Sequence, residues 1–142
     1  MVVTLEQPAR ARLITPTGRE RALPVVLRYS AQDPLAIQMV FPSQASLDGA
    51  EVTWIFARQL LEEGMSTPAG SGDVHIWPCG RARTVLEFRS HQGVALVLFD
   101  KVVLRRFLVR SYAVVPAGGE RESLDLDQGL SRLLGGVRGS GA

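Results

Sequence analysis

At 142 residues the chain has the length of one domain, enough to bury about 68–70% of its unfolded surface without disulfide or metal staples. Hydrophobic residues at 46% and charged residues at 21% exclude a disordered chain, and a single cysteine, Cys79, excludes an internal disulfide framework. The net charge is only +2, from 16 Lys+Arg against 14 Asp+Glu, a weak basis for a nucleic-acid partner.

The first half reads as strands. Ala9-Arg10-Ala11-Arg12-Leu13 alternates apolar and charged residues, the period of a half-buried strand, and a Pro16-Thr17-Gly18 turn follows. Leu23, Val25, Leu27 and Tyr29 share one face of the next strand, where Pro24 indicates an edge or a strand start. Asp33-Pro34 marks a turn before Ile37, Met39 and Phe41, and the loop from Pro42 to Gly49 leads to Val52 and Trp54. The period then changes. Phe56, Ala57, Leu60 and Leu61 form a helical stripe, with Arg58, Gln59, Glu62 and Glu63 opposite and Gly64 as a left-handed terminator.

After a Pro68 to Gly72 loop, Asp73 to Trp77 forms a strand that ends at Pro78-Cys79-Gly80. Thr84 to Ser90 and Val94 to Phe99 are strands joined by His91-Gln92-Gly93. A second helix starts near Asp100 as N-cap, with Leu104, Phe107 and Leu108 inward and Arg105, Arg106 and Arg110 outward. Val115-Pro116-Ala117-Gly118 suits a type I turn. Asp125-Leu126-Asp127-Gln128 resembles a capping box for a third helix striped by Leu126, Leu130, Leu133 and Leu134. The expected fold is therefore α+β, mostly antiparallel sheet of about seven strands with three short helices. It forms a single domain over residues 1–134, and 135–142 is a flexible Gly/Ser-rich tail.

Chemistry-bearing groups are few. Cys79 with His91 is the available nucleophile pair, but Cys79 lies in a turn with nothing nearby to lower its pKa. His75, Cys79 and His91 match no zinc spacing, so no catalytic residue, metal or cofactor is expected. Gly70-Ser71-Gly72 lacks the lysine of a phosphate loop and reads as a turn. Trp77, Arg81, Arg83, Phe88 and Arg89 fall on one hairpin, the ingredients of a single-strand nucleic-acid platform. Phe88 and Arg89 nevertheless occupy opposite faces, and Glu87 shares the face of Arg83 and Arg89. The amino terminus has no basic segment with a long apolar core, and the apolar window Val94 to Val109 is cut by Asp100, Lys101, Arg105 and Arg106. A cytoplasmic protein without a direct membrane anchor is expected.

An ordered set of blocks resembles the SsgA-like proteins of sporulating actinobacteria. These are Leu27-Arg28-Tyr29, Asp33-Pro34, Trp54-Ile55-Phe56-Ala57-Arg58, Leu60-Leu61 with Glu63-Gly64, Gly70 through Pro78, Val115-Pro116-Ala117-Gly118 and Asp125-Leu126-Asp127-Gln128 with Leu130-Ser131. Together they span roughly Leu27 to Leu134. Gly129, Cys79 and the N-terminal strand depart from the family pattern.

The resemblance implies a homotrimer of whirly-like fold without enzymatic activity. It also implies a role in sporulation septation, recruiting the tubulin-like division protein FtsZ to the division septum with SsgA-type partners. The alternative is a whirly-type single-stranded nucleic-acid-binding protein. Candidate partner-binding residues are Trp54 and Trp77 as large anchors, and Gly118 in a turn that presents a docking surface. Arg105, Arg106 and Arg110 complete the set, as cations able to meet an acidic protein surface.

Overall fold

Alternating side chains become two-faced strands wherever one face is buried. In the computed structural model, which describes residues 3–43 and 49–121, seven such strands pair into one antiparallel sheet. In chain order they are β1 (Thr4–Ile14), β2 (Glu20–Ser30), β3 (Ala36–Phe41), β4 (Val52–Ala57), β5 (Val74–Cys79), β6 (Arg83–Ser90) and β7 (Gly93–Asp100). Helix α1 (Arg58–Gly64) follows β4, and α2 (Lys101–Val114) follows β7. The strand order β4-β3-β2-β1-β7-β6-β5 places two meanders side by side. Only three pairs join them: Arg12 with Leu98, Leu13 with Val97 and Ile14 with Leu96.

The sheet curls across that narrow seam. Phe88 of β6 meets Phe41 of β3 at a ring-centroid distance of 5.5 Å and Trp54 of β4 at 5.0 Å, although these strands lie far apart in the sheet order. Right-handed strand twist supplies the curvature, and the aromatic rings bury the concave face against one another. The core continues through Leu27, Ile37, Met39, Ile76 and Leu86, all fully buried, to Leu104 and Phe107 of α2.

All seven expected strands are present, with differences of extent and position that have physical causes. Strand β2 is internal. Pro24 is tolerated because it pairs with Arg10 of β1 while the β2–β3 ladder covers only Val26 to Arg28, so no neighbour on the other side lacks a donor. Pro78 and Cys79 belong to β5, pairing with Thr84 and Arg83. Phe56 stays in β4, and α1 begins at Arg58, whose amide bonds the Leu35 carbonyl at 2.8 Å.

Gly64 is not left-handed. It is buried against Ile76, where a Cβ would collide with the isoleucine side chain, so the glycine serves close helix–strand packing. Asp100 is the N-cap of α2 in extended conformation, but its carboxylate makes no capping bond. Two helices are present among the described residues; the expected third, striped by Leu126 to Leu134, and the tail 135–142 lie outside them.

Candidate functional site

The structure separates the sequence-level candidates into four places. Arg105, Arg106 and Arg110 are exposed on the outer face of α2, opposite the buried stripe of Leu104, Phe107, Leu108 and Ser111. Between them Val102 and Val109 remain 67% and 62% exposed, and Lys101 and Arg81 complete the surround. Arg110 is tethered, its Nη1 donating to Gln7 Oε1 at 3.0 Å, while Gln7 donates to the Val103 carbonyl at 3.3 Å. These bonds hold α2 against β1, so the cationic face rides on a rigid support.

Trp54 is half-buried, stacked at a tilt on Phe88, and lines a cavity of about 390 Å³ at the mouth of the curled sheet. It is a packing residue with one accessible edge. Trp77 lies on the opposite, outer face of the sheet, beside Pro68, Gly70, His75, Glu87 and Arg89. There His75 Nδ1 is buried 3.4 Å from Glu87 Oε1 without hydrogen-bond geometry, and Glu87 is engaged instead by Arg89 at 2.8 Å. Gly118 has φ +83 and sits third in a turn closed by the Gly119 amide on the Pro116 carbonyl at 2.9 Å. The turn is therefore one residue later than expected and of the type II kind, because only the third place demands a positive φ.

The structure thus brings the three arginines together and leaves both tryptophans and Gly118 apart from them. The hairpin platform of aromatic and basic residues dissolves as well. Phe88 is buried under three aromatic neighbours, and Arg83 is paired with Glu20 at 3.2 Å. Cys79 pairs with Arg83 at the start of β6 and His91 follows Ser90 at its end, so the two are about 20 Å or more apart at ordinary strand rise.

Sequence reasoning missed the residue that fixes the position of α2. Arg58, expected on a solvated helix face, is 1% exposed. Its guanidinium donates to the Val115 carbonyl at 2.8 Å, the Ser111 carbonyl at 3.1 Å and Glu120 Oε2 at 2.7 Å. It also stands over the rings of Tyr112 at 4.4 Å and Tyr29 at 4.8 Å. A buried charge is tolerable only when paired and bonded in this way. The bond from Arg58 holds the Glu120 carboxyl below the usual glutamate range. Burial pushes Tyr29 up and, with Glu62 nearby, pushes Tyr112 up to about 12. The only sequence signal was an arginine at the junction of two periodicities, which does not distinguish a clamp from a solvated residue.

Comparison with known proteins adds an independent line. A family model described as Streptomyces sporulation and cell division protein, SsgA, matches residues 23–120. The chain is 44% identical over 128 residues to the sporulation-specific cell division protein SsgB of Kineococcus radiotolerans, covering 87% of this chain and 75% of that one. It is 40% identical over 136 residues to SsgB of Salinispora tropica, covering 94% of each. In three dimensions it resembles the crystal structure of an SsgA-like sporulation-specific cell division protein from Thermobifida fusca. The TM-score is 0.81 at 34% identity, covering 92% of this chain and 95% of that one. No described helix is long and apolar enough to cross a membrane.

Proposed function

This chain belongs to the SsgA family of sporulation and cell-division proteins, and from that membership we propose that it is a non-enzymatic scaffold for sporulation-specific cell division. It recruits or positions the FtsZ ring at septum sites through protein–protein contacts, together with SsgA-type partners. The observation that carries this reading is the agreement of both sequence and fold with relatives named as sporulation-specific cell division proteins.

The surface supports the same reading. The outer face of α2 offers cations without an acidic partner among the described residues, and Trp77 offers a large ring on the outer sheet face. Each contact is small. A homotrimer presenting three copies of each to a polymer gains avidity without a deep pocket.

Co-sedimentation with FtsZ polymers tests the proposal. The full-length protein pellets with polymer at low salt, pellets less as salt screens the arginines, and fails to pellet once the trimer is dispersed. Light scattering monitors the assembly. Absence of co-sedimentation by the intact assembly at low salt overturns the proposal. Tight binding to a single-stranded oligonucleotide in its place would favour a whirly-type function.

A further inference from the structure

The outer face of α2 is a groove as well as a charged surface. It encloses about 440 Å³ between the helix and the β5–β6 turn, where Arg81 and Ala82 approach Lys101. Its floor holds Val102 and Val109, two turns apart on one helix face. Five cations surround them: Arg81, Lys101, Arg105, Arg106 and Arg110. None is within ion-pair distance of a carboxylate among the described residues. An apolar floor inside an uncompensated cationic rim fits a segment that carries both carboxylates and aliphatic side chains. It suits a nucleic-acid strand less well, because no aromatic ring lines it for base stacking.

The chain carries such a segment. Residues 122–134 hold Glu122, Asp125 and Asp127 against a single cation, Arg132, together with five leucines. Position favours it too. Glu120 is fixed by Arg58 beside the carbonyls of Ser111 and Val115, so the segment departs from the C-terminal end of α2. Thirteen residues span about 20 Å even at helical rise, and further when extended. That matches the length of α2, and in extended form the segment is long enough to pass round the helix end and follow the groove.

We propose that this groove is the docking site of residues 122–134 of the same chain, carboxylates on the arginine rim and leucines on Val102 and Val109. An outside partner drawn to these arginines then meets them in competition with the chain's own segment. The inference stands on the groove and the segment alone, independently of the septal role.

The single cysteine provides the test. Cys79 is exposed and two residues from Arg81, so a nitroxide attached to it in the full-length protein reports on the groove. Backbone amides of residues 122–134 should lose most of their NMR intensity and regain it when the nitroxide is reduced. In Arg105→Glu/Arg106→Glu the loss should disappear while the amides of β5 and β6 keep theirs. A salt titration of the unsubstituted protein should reverse it likewise, which covers a misfolded variant. Undiminished amides at 122–134 in the unsubstituted protein overturn the proposal. So does a loss that survives both charge reversal and salt. A loss seen only when nitroxide-bearing and isotope-labelled molecules are mixed assigns the groove to a second copy and overturns it equally.

Discussion

Arg58 opens α1, and its Nη2 meets Glu120 Oε2 at 2.7 Å, joining the start of one helix to the chain beyond the end of the other. The same guanidinium bonds two carbonyls at the C-terminal turn of α2 and lies over both tyrosines of the protein. One side chain therefore ties the C-terminal end of α2 to the start of α1.

Arg58→Met should cost about 3–5 kcal/mol, the range for removing one partner of a buried pair. It strands the Ser111 and Val115 carbonyls and leaves Glu120 unpaired. Arg58→Lys should recover only part of this, since one ammonium cannot reproduce the guanidinium fork. Urea unfolding of the two variants measures both losses.

The Glu120 pair also predicts an acid limb. Its folded pKa is depressed below the ordinary value of 4.5, so its contribution is complete above that value and lost as pH falls through the folded one. In Glu120→Gln the slope of unfolding free energy against pH should be shallower on the acid side. Equal slopes in the two proteins would contradict the pairing.

Both tyrosines should titrate late. Burial raises Tyr29, and it raises Tyr112 to about 12, so tyrosinate absorbance in the folded protein should develop well above pH 10. The sign is that of an acid held neutral. Stability is intact below the unfolded value near 10 and falls as pH climbs towards 12. In denaturant the same absorbance should rise near pH 10.

Gly64→Ala should destabilise by about 1–3 kcal/mol, because the new Cβ meets the Ile76 side chain and, at 3.0 Å, its carbonyl oxygen. Gly72→Ala, with nothing within 4 Å, should stay within about 0.5 kcal/mol of the parent. Thermal melts of the two variants measure the difference.

The two tryptophans should behave differently. Trp54→Ala removes a ring stacked on Phe88 and should cost about 3 kcal/mol in unfolding. Trp77→Ala, on the outer face, should cost about 1 kcal/mol or less yet weaken pelleting with FtsZ polymers. A Trp77→Ala protein that pellets like the parent would remove that residue from the partner surface.

Local pattern determined a good deal about this protein. The alternation at Leu23 to Tyr29 specified a strand and its inner face, because a period of two can bury only one side. The spacing of Leu104, Phe107 and Leu108 specified the buried stripe of α2 and hence the outward arginines. The ordered blocks from Leu27 onward pointed to the family.

What tertiary structure decided are relationships between positions far apart in the chain. The curl that brings Trp54 onto Phe88 depends on a three-pair seam between β1 and β7. Gly64 looked like a helix terminator because glycine permits both a positive φ and a close approach, and only the arrival of Ile76 chooses between them. Arg58 looked solvated because a charged residue opposite an apolar helix stripe usually is. Burial became favourable only when the carbonyls of Ser111 and Val115, Glu120 and two aromatic rings converged on it from segments more than 25 residues away in sequence. Period and propensity act within a few residues, whereas desolvating a charge is settled by everything that surrounds it.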